Sequence, residues 1–195
     1  MTTVTSLLTT KLFVPLPHSN LVLRPRLFKR LDEGLRQGHR LILVSAPAGF
    51  GKTTLLSQWV SIHGAENAPK QVAWVSLENE CDLRRFWTYI TTALSEIQPG
   101  IGKSAFALFD APQPNFHAIV RTLINEIADE AKEFLLILDD YHHIDNQEIH
   151  GFISALIEHL PANIHLILST RVDPPLRLAR LRVPVQTCGL SVPVR

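Results

Sequence analysis

The sequence predicts an α/β protein, a three-layer sandwich in which helices cover both faces of a mostly parallel central sheet. Three observations carry that prediction. Four short runs are almost uniformly apolar, as strands buried on both faces have to be. The stretches between them change to a helical period. The two kinds of segment also alternate along the chain, the pattern of parallel strands joined by right-handed crossovers. Ligands of such sheets bind beyond the carboxyl ends of the strands, so the residues that end strands are the first candidates for chemistry.

The first strand is LILVS at residues 41–45, followed by a glycine-rich turn and an apparent helix, TTLLSQWV. VAWVSL at 72–77 is the second, rich in β-branched and bulky side chains. Behind a candidate Asp82 cap, Phe86, Ile90, Ala93, Leu94 and Ile97 fall on one face of a helix. Residues 98–115 hold Gly100, Gly102, Pro112 and Pro114 and read as an exposed connection without assigned function. A second covering helix carries Phe116, Ile119, Val120, Leu123, Ile124 and Ile127 after Asn115. FLLILDD at 134–140 is the third strand. Ile149, Phe152, Ile153, Leu156 and Leu160 line a third helix ended by Pro161, and IHLILST at 164–170 is the fourth strand. Trp59, Trp74 and Trp87 fall within these elements and are expected in the core. Beyond Arg171 come Pro174, Pro175, Pro184 and Pro193 with little apolar periodicity, so regular packed structure is expected to stop near Leu181.

At 195 residues, 46% apolar and 19% charged, with a net charge of +1, the chain has the composition of one soluble globular domain rather than a disordered or nucleic-acid-coating one. Cys81 and Cys188 are far apart and form no metal or disulfide framework, which suits a reducing compartment. No basic leader with a long apolar run opens the sequence, and no stretch approaches the roughly 18 apolar residues of a membrane span. A cytoplasmic protein without a membrane partner is expected.

The chemistry concentrates in APAGFGKTT, residues 46–54, between the first strand and its helix. That context turns a glycine-rich string into a phosphate site. Gly49 and Gly51 let the backbone curl with its N–H groups inward, and the helix N-terminus adds about half a positive charge at the same place. Ala46, Pro47, Ala48, Gly49, Phe50, Gly51, Lys52, Thr53 and Thr54 are therefore assigned to binding the phosphates of ATP or a close relative. Lys52 reaches the β- and γ-phosphates, the Thr53 hydroxyl is a Mg²⁺ ligand, and Thr54 lies toward the α-phosphate. Ala46 stands where the strict pattern has glycine, a small residue that fits if its φ is negative.

The third strand ends in two carboxylates. Asp139 is assigned to Mg²⁺, because hard cations take carboxylate oxygens, and Asp140 to orienting or activating a water against the γ-phosphate. The alternative for Asp140 is a solvated turn residue. Ser169, Thr170 and Arg171 end the fourth strand; Arg171 could stabilise or sense the γ-phosphate, or simply be a surface arginine. His142, His143, His150, His159 and His165 crowd this region without a metal-binding spacing. His142 or His143 could lie near the pocket, a solvated loop being the expected reading.

In combination, KLFVPLP, LVLRPRLFKRL, SAPAGFGKTTLLSQW, VAWVSLE, LDDYHHIDNQEIH and LILSTRVDPPLRLARLR resemble the nucleotide-binding domain of the MalT-like large regulators of the LuxR group, within the STAND class of P-loop ATPases. The resemblance covers residues 7–182. It implies an adenine contact from the segment before the first strand, at Val22, Arg24 and Pro25, and maps the family's sensor arginine onto Arg171. It also implies a slow ATP/ADP switch, self-association in the ATP state, and DNA contact through a C-terminal helix-turn-helix not present here. Residues 1–22 then form a lead segment, 23–182 the P-loop core, and 183–195, VPVQTCGLSVPVR, an aberrant or disordered tail that departs from the family. Two other readings stand beside the switch core: a small P-loop kinase or phosphotransferase, whose lid would have to come from Arg177, Arg180 and Arg182, and an inactive truncated remnant.

Overall fold

Parallel pairing at every junction organises the computed structural model, which describes residues 7–16, 22–66, 71–79, 81–109, 111–176 and 185–187. In chain order the elements are α1 (Pro25–Arg36), β1 (Leu41–Ser45), α2 (Lys52–Glu66), β2 (Gln71–Ser76), α3 (Leu83–Ile97), β3 (Pro99–Gly102), α4 (Lys103–Phe109), α5 (Phe116–Ala128), β4 (Phe134–Asp139), α6 (Gln147–His159), β5 (Ile164–Thr170) and β6 (Val185–Thr187). The five-stranded sheet has the order β2-β4-β5-β1-β6.

The strands are buried on both sides because alternate residues feed two different cores. Leu41, Leu43, Ala73, Val75, Leu136, Leu138, Leu166 and Leu168 face α3, α5 and α6, where Phe86, Trp87, Ile90, Leu123 and Ile153 are fully buried. Ile42, Val44, Trp74, Leu135, Ile137 and Ile167 face the opposite way, onto Phe28 and Leu31 of α1 and Leu55, Leu56 and Trp59 of α2. Two cores on one sheet make the expected three layers. The predicted caps form as well: Asp82 accepts from the Arg85 amide at 2.7 Å and Asn115 from the Ala118 amide at 3.1 Å.

Two expectations need correction, and one element was not expected. The connection at 98–115 is partly ordered core, holding β3 and α4 with Ile101, Ala105 and Phe109 buried. Its glycines mislead because they read as loop, whereas Gly102 takes φ +86° and packs so closely that an added Cβ would sit 3.2 Å from the Thr91 carbonyl oxygen. Regular structure also resumes past Leu181, since Val185–Thr187 pairs in parallel with β1, Leu41 opposite Val185. The rest of the 183–195 tail lies outside the described residues, as do Arg177, Arg180 and Arg182. Finally, α1 has no counterpart among the expected elements, although Pro25 at its start and Phe28, Leu31 and Leu35 on one face carry a helical signal.

The lead segment is tied to the sheet. Leu12, on a short 3₁₀ turn (Thr9–Leu12), enters the core beneath α3; the Leu8 amide donates to the Tyr89 hydroxyl at 3.2 Å, and Lys11 pairs with Glu78 at 3.2 Å.

Glu126 of α5 fastens the β3–α4 junction, accepting from the Gly102 amide at 2.7 Å and the Ser104 amide at 2.9 Å. Hydrogen bonds to a charged group contribute about 1.5–3 kcal/mol each when well formed, and these are partly exposed. Glu126→Ala is expected to lower the unfolding free energy by about 1–3 kcal/mol, read as a lower urea midpoint at constant m-value. An unchanged midpoint would show that the junction holds without this carboxylate.

Candidate functional site

Three strand ends meet on one edge of the sheet. Ser45 ends β1 opposite Thr170 of β5, and Leu138 of β4 lies opposite Leu168, so Asp139 arrives beside Ser169. The chain leaves β1 through the phosphate loop. The Ala46 amide donates to the Thr170 carbonyl at 3.2 Å, extending the ladder by one bond. Gly49 and Gly51 adopt φ of +80° and +74°, the left-handed conformation that curls a loop at low cost only for glycine. Ala46 is buried, and among the described non-glycine residues only Asp140 has a positive φ, so the alanine fits as expected. Pro47, Ala48 and Gly49 form the exposed rim of the loop, while Phe50 packs its ring against the core under α1 and α2.

Lys52, the first residue of α2, is 5% exposed. Its Nζ donates to the carbonyls of Ala46 at 3.0 Å and Pro47 at 3.4 Å, so the loop's own oxygens hold the ammonium. Burial pushes its pKa below the ordinary lysine value, with Arg171 acting in the same direction and Asp140 and Asp139 opposing. Thr54 follows on the first turn of α2, where its carbonyl accepts from Ser57 Oγ at 3.1 Å.

Thr53 Oγ1 donates to Asp139 Oδ2 at 2.8 Å, from the helix after β1 across to the end of β4. The other carboxylate oxygen accepts a short hydrogen bond from Ser169 Oγ, which in turn receives the Asp140 amide at 3.0 Å. A buried carboxylate and a threonine hydroxyl in contact at a phosphate loop suit Mg²⁺, which takes one or two protein oxygens and keeps waters and substrate oxygens for the rest of its shell. Among the described residues, no basic side chain hydrogen-bonds Asp139. Burial raises its pKa above the ordinary carboxylate value, against the bonds from Ser169 and Thr53 that favour the charged form.

Asp140 has φ 57° and ψ 41°, a left-handed conformation tolerated better by aspartate than by most residues. Its reversal of the chain starts the turn Tyr141–His143. Tyr141 is buried, its hydroxyl bonded to His150 Nδ1 at 2.9 Å. His142 does not lie in a solvated loop, contrary to expectation: its side chain is 10% exposed, with Nδ1 3.7 Å from Asp140 Oδ1. Arg171 is exposed just past β5, and its charge acts on both Lys52 and His142.

Of the residues ahead of the first strand, Arg24 reaches the loop, donating Nη1 to the Phe50 carbonyl at 2.9 Å, while Pro25 begins α1 and Val22 is 82% exposed. Ser169 has no role assigned from sequence; its signal is a small hydroxyl that, with Thr170, ends an apolar run level with Asp139. Cys81 is half-buried and its thiol is pushed up to about 11, chiefly by burial, so it is protonated and unreactive at neutral pH. Cys188 lies outside the described residues.

A raised carboxylate pKa means that the fold holds the Asp139 proton more tightly than the unfolded chain does. The associated stability is fully present below about pH 4, the unfolded value, and is lost as pH rises through the higher folded value. As pH rises from the unfolded value toward 7, burial of this carboxyl therefore costs the nucleotide-free protein progressively more. Asp139→Asn is expected to raise its Tm by about 2–4 °C for each kcal/mol relieved, with the gain shrinking toward pH 4 in scanning calorimetry. A lower Tm at pH 7 would mean that the two hydroxyl bonds outweigh the desolvation.

Residues 21–169 match the family model described as AAA ATPase domain. The chain is 36% identical over 179 residues to the HTH-type transcriptional regulator MalT of Serratia proteamaculans (strain 568), covering 91% of this chain and 19% of that protein. To the MalT regulator of Yersinia pestis (strain Pestoides F) it is 34% identical over 188 residues, covering 95% and 20% respectively. The chain thus spans about a fifth of the length of the curated relatives it matches. Among solved structures it resembles the Drosophila ORC bound to AT-rich DNA and Cdc6, with a TM-score of 0.55 at 16% identity over 85% of this chain and 53% of that one. A Walker-type ATPase of Pyrococcus abyssi follows at a TM-score of 0.51 and 14% identity, over 89% and 55%. At such identities the likeness is one of fold. Since the family model spans well over half of the sequence and includes the phosphate loop, β4 and its carboxylate Asp139, the chain belongs to the AAA ATPase domain family.

Proposed function

We propose that this domain binds ATP and ADP with Mg²⁺ and acts as the nucleotide-dependent switch of a MalT-like transcription regulator, hydrolysing ATP slowly. The observation that carries the reading is the Thr53–Asp139 contact beside the curled loop. A hydroxyl and a buried carboxylate, brought together from separate strand ends, have the chemistry of a magnesium site at a phosphate-binding turn.

On this reading the inward N–H groups of residues 49–54 and the start of α2 receive the phosphates. Lys52 exchanges its bonds to the Ala46 and Pro47 carbonyls for phosphate oxygens, a favourable exchange because an anion replaces neutral acceptors. Thr53 and Asp139 would hold Mg²⁺, which neutralises phosphate charge when bound. Asp140 orients the water that attacks the γ-phosphate, and Arg171, exposed at the end of β5, folds toward that phosphate and reports its presence. Arg24, already fastened to the Phe50 carbonyl, sets the adenine side of the pocket together with Val22 and Pro25. Self-association in the triphosphate state would follow the same switch logic as in the MalT-like regulators. Among the described residues no helix is long and apolar enough to cross a membrane.

Isothermal titration with ATP, ADP and GTP in the presence of Mg²⁺ tests this function. Adenine-selective binding is expected in the unaltered chain and none in Lys52→Ala. Asp140→Asn is expected to keep the affinity and to slow hydrolysis by roughly 10²-fold or more, the usual scale for a lost acid–base or water-orienting group. Equal loss of binding in both variants would remove the division of labour. Phosphate transfer to a small acceptor in preference to water would favour a phosphotransferase instead.

A further inference from the structure

The turn after β4 holds a polar group that the site described so far does not use. The backbone around His142 is pinned on several sides. Tyr141 is anchored to His150 of α6, the His143 amide donates to the Asp140 carbonyl at 3.1 Å, and His143 Nδ1 lies 2.6 Å from Asn79 Oδ1. The His142 ring lies against that of His143, with centroids 4.2 Å apart and planes tilted by 34°, and its side chain is nine-tenths buried. Yet among the described residues neither Nδ1 nor Nε2 has a hydrogen-bond partner, and the nearby Asp140 carboxylate stands at 3.7 Å, beyond bonding distance.

Native proteins pair most of the polar groups they bury, and an exception calls for an explanation, one of which is a partner supplied by a bound ligand or ion. The charged groups that act on this ring are His143 and Asp140 of its own turn, Lys52 at the start of α2, and Arg171 past β5. Lys52, Asp140 and Arg171 are the residues around the expected position of a terminal phosphate. Burial first, then His143, Arg171 and Lys52, hold the imidazole below its ordinary pKa against the pull of Asp140, leaving it neutral near pH 7 with one N–H to donate.

Building on the phosphate-site reading above, we infer that His142 is a binding residue for the terminal phosphate of a nucleoside triphosphate, donating a ring N–H to one of its oxygens and so favouring triphosphate over diphosphate. The ligand completes the bond that the protein leaves unmade. With the turn held by these hydrogen bonds, the contact requires little ordering of the protein, and a diphosphate in the same loop leaves the ring unpaired. His142 is thereby distinguished from Asp140, whose task is the water, and from Arg171, which is exposed and has to move.

The test measures affinities for ADP and for a non-hydrolysable ATP analogue, both with Mg²⁺, in the unaltered chain, His142→Ala and His142→Gln. Expected is a loss of roughly 10- to 100-fold in analogue affinity for His142→Ala, the worth of one hydrogen bond to a charged acceptor, with ADP affinity unchanged. Partial recovery is expected in His142→Gln, whose amide can donate from a similar position. Equal weakening toward both nucleotides, or no change toward either, overturns the proposal while leaving the phosphate site intact. Failure of the unaltered chain to bind either nucleotide would sink the phosphate-site reading itself. If His142→Ala does not fold, as read by its thermal transition, the glutamine variant decides: retained discrimination between analogue and ADP supports the contact, and its loss with both affinities falling together refutes it.

Discussion

The carboxylate of Asp139, buried between the hydroxyls of Thr53 and Ser169, ties together the elements that make the site. It ends β4, Thr53 belongs to the first turn of α2, and Ser169 lies near the end of β5, so one side chain spans three strand-to-loop transitions. The strand order β2-β4-β5-β1-β6 makes this geometry possible by placing β5 between β4 and β1. A residue at the position of Ser169 must be small enough to let Thr53 and Asp139 meet across it. It must also carry a donor, because a buried carboxylate without hydrogen bonds is costly.

That arrangement departs from what stability alone would favour. The ionised form of Asp139 is raised in energy by desolvation, Asp140 adopts a left-handed backbone, His142 buries two ring nitrogens without partners among the described residues, and Lys52 is held by loop carbonyls. Each is locally unfavourable, and all four lie within the arc from the phosphate loop to the end of β4. Strain and unmet polar groups persist where the surrounding structure over-determines them. Here the surroundings are the two fully packed cores on either side of the sheet, from Trp87 and Ile153 on one face to Leu31 and Leu56 on the other. A multiply charged anion with a divalent cation would relieve most of these costs together, so folding and ligand binding are expected to be strongly coupled.

Around this centre, the segments ahead of β1 do more than lead into the domain. Residues 7–16 lie against α3 and β2 through Leu12, Lys11 and the Tyr89 hydroxyl, and Arg24 fastens the start of α1 to the phosphate loop at Phe50. The loop is thus gripped from the α1 side by a side chain and from the β5 side by the Ala46–Thr170 backbone bond. Its central glycines are left to set the curl.

Much of this was legible in the sequence because the signals are local. Apolar runs too short for helices and set between helical segments read as strands buried on both faces, so β1, β2, β4 and β5 follow from LILVS, VAWVSL, FLLILDD and IHLILST. Asp82 and Asn115 mark helix starts through their own side-chain bonds, and a lysine and threonine behind a curled glycine pair identify a phosphate loop. What is not local was not legible. The glycines of β3 read as loop because only the approach of α3 and α5 reveals why the backbone is close-packed there. Val185–Thr187 became a strand because β1 offered an open edge, a fact absent from its own composition. Ser169 gained its part from strand register, and His142 its buried, unpartnered position from the reversal at Asp140. The sequence by itself determined the elements, the alternation that stacks them and the phosphate loop, since each depends on neighbours within a few residues. Only the tertiary structure decided which strand ends meet and which polar groups are left without partners, since both depend on strand order and on packing between segments distant along the chain.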